Sequence, residues 1–410
     1  MNRGLWCEWD AARAGLGATA AALPDPSAIP PREWLYGTRL VRRFVSVLAA
    51  PGGVGKSALA LGQAVALACG RPLLGERVHH SVPVWVLNLE DPLDELNRRL
   101  AALLRLHRVA DDAVAGRLFL HSGRTRRVCM AALSGDGAVV RPDQEAVTAA
   151  ALAAGVGLIV VDPFVKSHAL DENSNPHMDA AATAWAEVAE RTGAAVLLVH
   201  HVRKLGLAGV ADVDSARGAK ALTDAARSAS MLSPMTVEEA ARLGVPAGER
   251  WRHVRLDDAK ANLAPRAEAA IWYRMESVSL GNATGLYPNG DTVAALAPWK
   301  PTSAFAGLGA AECNRALDVI AAGPGEGQLF AAVRGGFGAN DRWAGKVLVR
   351  MGLEPAQAAR VLAAWLRSGL LVDGEYRDPV HRKARRGVRV NDAKRPTASA
   401  DATMSDNDGT

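Results

Sequence analysis

A hydrophobic stretch at residues 45–50 runs directly into a glycine-rich loop that ends Gly55-Lys56-Ser57. Glycines at 52, 53 and 55 allow successive backbone N–H groups to turn inward around phosphate oxygens. In such a loop the Lys56 amine reaches the β- and γ-phosphates, and the Ser57 hydroxyl reaches Mg²⁺. The pattern predicts a nucleotide phosphate cradle made of Ala50, Pro51, Gly52, Gly53, Val54, Gly55, Lys56, Ser57 and Ala58.

The first position of the usual Gly-x-x-x-x-Gly-Lys-Ser pattern is Ala50 in this chain. Alanine is tolerable there, because this position does not need a positive φ as strictly as the inner glycines do. A chance glycine turn before a helix is the alternative interpretation. The strand before the loop and the helix expected at 58–69 supply the context that the motif requires.

Length and composition set the broad class. The chain has 410 residues, of which 49% are apolar, enough for one large core and a smaller second one. No apolar run reaches the roughly 20 residues of a membrane span, and the acidic start argues against a secretion signal. We therefore expect a cytoplasmic protein. The four cysteines are far apart, which indicates reduced thiols rather than disulfides or a zinc site.

Strand-like and helical stretches alternate from residue 42 onward. This alternation predicts βα units, a mainly parallel sheet and helices on both faces. The strands are expected at 44–49, 82–89, 118–121, 157–161, 194–200 and 228–232. Alternating polar and apolar residues at 251–256 and 271–275 predict antiparallel strands that extend the sheet.

The last third of the chain has a different pattern. Helical periodicity at 310–322, 328–334, 341–351 and 355–368 precedes a ribbon expected from 370–372 and 374–376. This predicts a small winged helix-turn-helix domain. The predicted domains are an N-terminal extension (1–30), an α/β ATPase domain (31–300), a winged-helix-like domain (301–391, with a linker at 301–309) and a disordered tail (392–410).

Eight cations lie between Arg377 and Arg395, opposed only by Asp378 and Asp392. Such a run is usually a solvated surface or a flexible tail. The more specific alternative is that it contacts the phosphate backbone of a nucleic acid. For that alternative, the candidate DNA contacts in this run are Arg382, Lys383, Arg385 and Arg386.

Two acidic residues follow predicted buried strands. Glu90, with Asp91 in reserve, could activate the water that attacks the γ-phosphate, although an acid at a helix start before Pro92 is the plainer interpretation. Asp162 ends the run Leu158-Ile159-Val160-Val161, the setting of a Walker B aspartate that helps to hold Mg²⁺ with Ser57. A turn-forming Asp-Pro is the alternative there.

Two histidines end another buried strand. A metal site would need further ligands at suitable spacing, and adjacent strand residues point to opposite faces. We expect instead that His200 first, or His201 second, senses the γ-phosphate and passes its presence to the following loop, 203–217.

Arg217, Lys220 and Arg227 lie on a helix predicted within 215–228. One of them could reach the nucleotide of a neighbouring subunit as an arginine finger, and Lys260 is a second source of such a cation. Surface solvation is the plainer interpretation for each.

Taken together, the phosphate loop, Asn-Leu-Glu-Asp at 88–91, Val-Val-Asp-Pro at 160–163, His-His at 200–201 and Arg-Gly-x-x-Ala-Leu-x-Asp-x-x-Arg at 217–227 resemble the RepA-type, RecA-like ATPases. That family includes a hexameric plasmid helicase. The resemblance covers residues 30–300 and implies ATP and Mg²⁺ bound between subunits of a ring. It assigns Glu90 as general base, Asp162 as Walker B residue, a histidine as sensor and Arg227 as finger. In segment 31–37, it implies an aromatic near the adenine.

The winged-helix-like region is a departure from the plasmid helicase and leaves the biological role open. The leading hypothesis is a ring ATPase that moves on single-stranded DNA, with loops 166–178 and 203–214, including Arg203 and Lys204, facing the channel. The alternative is an ATP-switched DNA-binding regulator or loading factor, with other replication proteins as partners. A kinase is weaker, because no substrate pocket signature is present.

Overall fold

The computed structural model describes residues 25–202, 222–267, 269–334 and 342–397. The chain divides into two compact units, Met1–Glu33 and Trp34–Thr410. The described part of the first contains one short 3-10 helix, Pro26–Ala28, with Asp25 as its N-cap. Most of the predicted N-terminal extension and four predicted functional cations lie outside the described residues: Arg203, Lys204, Arg217 and Lys220.

The second unit is built on a nine-stranded sheet. In chain order, the first ten strands of this unit are β1 (Trp34–Tyr36), β2 (Leu40–Val41), β3 (Val45–Ala50), β4 (Val84–Asn88), β5 (Leu118–Ser122), β6 (Ala132–Leu133), β7 (Val139–Val140), β8 (Leu158–Asp162), β9 (Ala195–His201) and β10 (Ser228–Pro234). Six of these run parallel in the order β10-β3-β9-β8-β4-β5, while β1-β2 and β6-β7 are separate hairpins.

Helices cover both faces of the parallel strands. Helices α1 (Lys56–Cys69) and α2 (Leu93–His107) pack on one face, and α3 (Gln144–Ala153) and α4 (Asn175–Thr192) pack on the other. Buried strand residues alternate between the two cores, as pleated strands require. The predicted RecA-like α/β fold with a mainly parallel core is confirmed.

An antiparallel extension follows β10. It consists of α5 (Val237–Leu243), β11 (His253–Ala261), β12 (Ile271–Ser279) and β13 (Thr292–Pro298), and the sheet ends β10-β11-β12-β13. The extension curves round until its last strands meet α2. The Arg105 Nη1 donates to the Ser279 carbonyl at 2.9 Å, and the His107 ring lies 2.8 Å from the Leu296 carbonyl.

This curvature encloses α1. The helix sequence is apolar on every side, and most of its residues are buried between the parallel strands and the antiparallel extension. A helix that is hydrophobic all round needs such complete cover. The segment that begins at the phosphate loop is therefore anchored in the centre of the unit.

The C-terminal part contains α6 (Ala310–Ala322), α7 (Gly345–Arg350), α8 (Pro355–Arg367), β14 (Leu371–Arg377) and β15 (Ala384–Val390). The last two strands form an antiparallel ribbon. The C-terminal part has its own hydrophobic core, separate from the cores around the large sheet, which includes Leu317, Leu348 and Trp365. The Val388 N–H donates to the Phe330 carbonyl at 2.8 Å. The segment of chain between α6 and α7 therefore runs beside strand β15 of the ribbon. This order of helices and strands is that of a winged helix.

Several local predictions in this region were wrong. Residues 328–334 are not a helix, because Phe330 pairs with β15 and Ala331 bridges Trp343. The next helix begins at Gly345, not at 341. Both predicted ribbon segments lie on β14, and its partner β15 is formed by the basic run. Of the tail predicted to be disordered, Asp392–Lys394 is a 3-10 helix, and 398–410 lie outside the described residues.

Within the described residues, no helix combines the length and the apolarity that crossing a bilayer requires.

Candidate functional site

The phosphate loop joins β3 to α1 through two glycines in the left-handed region, Gly53 (φ 77°) and Gly55 (φ 102°). A Cβ built at Gly52 or Gly53 would meet no atom within 4 Å, so the outer side of the loop is open. A Cβ at Gly55 would instead lie 2.8 Å from Met275 Cε on β12. The antiparallel extension thus supports the inner side of the loop, a contact for which the sequence gives no local signal.

Lys56 is 4% exposed, and its ammonium is held inside the loop. It donates to the carbonyls of Ala50 at 3.1 Å and Pro51 at 2.8 Å. Burial lowers the pKa of Lys56, against the opposing effect of the Asp162 and Glu90 carboxylates. The loop therefore holds a positive charge where the sequence predicts that a phosphate chain binds.

The Ser57 hydroxyl donates a hydrogen bond to the Asp162 carboxylate, which links the start of α1 to the end of β8. Asp162 is 5% exposed. Burial raises the pKa of its carboxyl, and the Ser57 hydrogen bond and the Lys56 ammonium partly offset the rise. A hydroxyl and a carboxylate side by side are hard oxygen donors of the kind that Mg²⁺ prefers, so the residues fit this ion.

Glu90 follows β4, which lies beside β8 in the sheet. Its carboxylate is exposed and forms no hydrogen bond or ion pair with the residues that the structure describes, but its backbone is fixed. The Glu90 N–H donates to Asn88 Oδ1 at 3.1 Å, and Arg124 Nε donates to the Glu90 carbonyl at 2.7 Å. Sequence reasoning missed Asn88, although a polar residue ending a buried strand was an available signal.

Asp91, the reserve candidate, is already paired. Its carboxylate lies 2.7 Å from Arg99 Nη1 on α2, and Arg99 also contacts Glu95 at 3.1 Å. Of the two acids after β4, the geometry therefore leaves Glu90 available to a water molecule.

The two histidines at the end of β9 lie on opposite faces of the sheet. His201 pairs in register with Ala50, on the face that carries α1, Asn88 and Asp162. Burial and the Lys56 ammonium lower its pKa, while the Glu90 carboxylate opposes them. Of the two predicted sensors, His201 therefore lies on the side of the phosphate loop, and His200 lies on the other side.

His200 belongs to a second group of imidazoles. It is 8% exposed, and the Phe164 ring lies 6.4 Å from its ring and 5.0 Å from that of His168. The buried Nδ1 of His200, Nε2 of His168 and Nδ1 of His177 have no hydrogen-bond partner among the described residues. No group of three or more His, Cys, Asp or Glu residues in that part of the chain is arranged to hold a metal ion.

Arg227 immediately precedes β10 and is exposed. Ser228 pairs with Ser46, so Arg227 is level with Val45, at the opposite end of β3 from the phosphate loop, about 16 Å away by strand length. Lys260 lies nearby, and its amine donates to the carbonyls of Thr223 and Asp224 at 3.0 and 2.8 Å. Neither cation is positioned to serve the loop of its own chain.

The predicted DNA contacts near the C-terminus lie on the ribbon β14–β15. Arg382 and Lys383 are in the turn between its strands, while Arg385 pairs with Asp378 at 3.0 Å and Arg386 pairs with Asp373 at 2.9 Å. In segment 31–37, Tyr36 is fully buried, which leaves Trp34 as the aromatic with accessible surface.

Comparison with known families agrees with this geometry. Residues 13–206 match a family model described as an AAA domain. The matched range contains the phosphate loop, Glu90, Asp162 and both histidines. Over these residues the chain is therefore similar to an AAA domain, and its fold is that of a RecA-like P-loop core.

Proposed function

We propose that the protein hydrolyses ATP at a site shared between two copies of the chain, and that it uses this hydrolysis to act on DNA as a RepA-type helicase or a helicase-like replication protein. The observation that carries the proposal is the convergence of Lys56, Ser57, Asp162, Glu90 and His201. These side chains come from the ends of three adjacent strands, β9, β8 and β4, and from the start of α1, on one face of the sheet.

Each residue of the site has a distinct part in hydrolysis. The loop N–H groups and the Lys56 ammonium bind the phosphate chain, and Lys56 exchanges its loop carbonyls for phosphate oxygens. Ser57 and Asp162 would hold Mg²⁺, which neutralises charge on the β- and γ-phosphates. Glu90 accepts a proton from the attacking water, and His201 contacts the γ-phosphate.

A second copy supplies the remaining positive charge. Arg227 is exposed at the far end of β3, where its own phosphate loop is out of reach. In a head-to-tail assembly, that end of one copy faces the loop end of the next, and a heterologous interface of this kind forms a ring when the rotation between copies closes. Arg227 would then stabilise charge on the transferred phosphoryl group.

The role on DNA rests on the order and spacing of the motifs, and on the basic ribbon. A second candidate is an ATP-switched regulator that binds DNA without unwinding it, and the winged-helix arrangement of the C-terminal part favours it. Both candidates use the same ATP site, and they differ in whether hydrolysis separates strands.

ATP turnover, measured with and without single-stranded DNA, tests the proposal. We expect Lys56→Ala and Glu90→Gln to abolish turnover, with Glu90→Gln still binding ATP. Asp94→Asn, an exposed acid on α2, is the matched control and should turn over normally. Full turnover in Glu90→Gln would refute the assigned base. Separation of a forked duplex would identify a helicase, and stimulated turnover without separation would identify the regulator.

A further inference from the structure

The helix that reads DNA bases in a helix-turn-helix is the second of its pair, here α8 after α7. Its three candidate polar readers are Gln357, Arg360 and Arg367. Gln357 Nε2 donates to the carbonyls of Ala304 at 3.2 Å and Ala306 at 2.8 Å. The Gln357 amide is therefore already hydrogen-bonded to the segment before α6.

Arg360 is used in the same way. Its Nη1 donates to the Thr302 carbonyl at 2.9 Å and to the Leu243 carbonyl at 3.4 Å. A Cβ built at Gly244, just beyond α5, would lie 2.6 Å from the Arg360 guanidinium carbon. Helix α8 is thus packed against the end of α5 and the connecting segment, which leaves Arg367 as the exposed member of the three.

Two of the polar side chains of α8 are hydrogen-bonded within the protein, whereas the turn of the ribbon β14–β15 is both rigid and exposed. The buried Asp378 carboxylate accepts hydrogen bonds from the N–H groups of Val380 and His381, from Gln328 Nε2 and from His381 Nδ1, and it pairs with Arg385. Burial opposes ionisation of Asp378, but these hydrogen bonds outweigh it and lower the pKa of the carboxyl. The Asp378 N–H donates to the Lys383 carbonyl at 2.9 Å, which closes the turn.

The cations of the ribbon fall into two groups. Arg385 and Arg386 are neutralised by Asp378 and Asp373. Four others are exposed and form no ion pair with any described residue: Arg377, Arg382, Lys383 and Arg389. A preorganised turn carrying uncompensated positive charge loses little conformational entropy when it binds a polyanion.

The ribbon also lacks what single strands need. Binding of single-stranded DNA relies on exposed aromatic rings on which bases stack. Between 371 and 390, all of which the structure describes, the aromatic side chains are His381, whose Nδ1 is held by the Asp378 carboxylate at 3.1 Å, and Tyr376. Its hydroxyl accepts a hydrogen bond from Arg342 at 2.8 Å, and the Arg342 guanidinium lies over its ring. The ribbon therefore suits the regular phosphates of a duplex better than unstacked bases.

We propose that the ribbon binds the phosphate backbone of duplex DNA without reading its sequence, while α8 stays packed against the ATPase part of the chain. The inference rests on the proposed role on DNA, and it specifies the surface and the form of DNA. Phosphate contacts by this surface make affinity strongly salt-dependent and nearly equal for all sequences.

Fluorescence anisotropy of labelled duplexes of unrelated sequence, with the full chain and over a range of salt, tests this. We expect similar affinity for every duplex. The double substitution Arg382→Ala, Lys383→Ala should weaken binding to all of them and reduce the slope of log K against log salt by about 2. Arg315→Ala is the matched control, because this exposed arginine on α6 pairs with Glu312 at 2.8 Å. It should leave the slope within error.

Unchanged duplex binding in the double variant would overturn the inference, and so would a preference of the ribbon for single strands. Sequence-specific binding that Gln357→Ala abolishes would show that α8 reads bases, and would also overturn it. ATP turnover of the same preparations distinguishes failure of the ribbon proposal from failure of the proposed ATPase function. Normal turnover without duplex binding would refute the ribbon proposal alone.

Discussion

The amide oxygen of Asn88 accepts a hydrogen bond from the backbone N–H of Glu90 at 3.1 Å, and another from that of Asp91 at 2.8 Å. Asn88 is 4% exposed and pairs in register with Asp162. The buried end of β4 therefore fixes the turn on which the proposed general base stands. Asn88 acts as a positioning residue, because it holds the backbone of Glu90 and leaves the carboxylate exposed.

Replacing Asn88 should misplace that base. We expect Asn88→Ala to reduce kcat by about 10²-fold with little change in KM, since a shift of about 1 Å in a catalytic group costs that much. Asn88→Asp keeps an acceptor oxygen and should recover much of the rate. Steady-state kinetics measure both, with Asn97→Ala, an exposed amide on α2, as control. A rise in KM at constant kcat in Asn88→Ala would contradict a positioning role.

The phosphate loop offers a matched pair of glycines. Gly55→Ala should lower the free energy of unfolding by about 1–2 kcal/mol, because alanine at a φ of 102° is strained and its Cβ would meet Met275. Gly52→Ala should change the free energy of unfolding by less than about 0.5 kcal/mol, because its Cβ would enter open space. Urea denaturation without nucleotide measures both variants. Equal destabilisation of the two variants would contradict the prediction that the positive φ of Gly55 and the contact with Met275 make alanine costly at this position.

Burial of His200 predicts a pH-dependent loss of stability. Burial, His201, Lys56 and His168 together lower the pKa of His200 from 6.5 to about 4. Between these values the unfolded chain binds the proton more readily, so stability falls as the pH falls from 6.5 towards 4 and is retained above 6.5. This group should contribute about 3 kcal/mol of stability that is lost between pH 7 and pH 4.

Urea denaturation across that pH range measures the contribution as a difference between proteins. His200→Asn should lose about 3 kcal/mol less than the wild type between the two pH values, whatever its stability at pH 7. His201→Asn is the control, since this residue is much more exposed than His200 and should have a smaller effect. Parallel curves for the wild type and His200→Asn would contradict a neutral, buried His200.

The parallel core was predictable because its signals are local. Uninterrupted apolar runs such as Leu158–Val161 fit strands buried on both faces, and Asp162 follows such a run. Features that depend on residues distant in sequence were not predictable. Periodicity predicts a helix at Phe330, yet the hydrogen bond from the Val388 N–H holds this segment in an extended conformation. Likewise, nothing local shows that α8 turns its polar residues towards Leu243 and Thr302.

The histidine pair shows an intermediate case. The sequence predicts two imidazoles at a strand end on opposite faces, but not which face carries α1. The register of β9 with β3 supplies that information, because His201 pairs with Ala50 at the start of the loop. Asn88 could have been found by the same argument, since it occupies the position of β4 that pairs with Asp162.

In the proposed assembly, one copy of the chain completes the ATP site of the next, and mixing two inactive variants tests this arrangement. Glu90→Gln lacks the base but keeps Arg227, and Arg227→Ala keeps the base but lacks the finger. Each should be inactive alone, whereas Arg43→Ala, an exposed arginine at the same end of the sheet as Arg227, should be active. An equal mixture should recover about a quarter of the wild-type turnover per chain, because random assembly completes that fraction of interfaces. Turnover in the mixture no higher than the sum of the separate variants, with mixed assemblies shown by co-purification of differently tagged chains, would contradict the shared site.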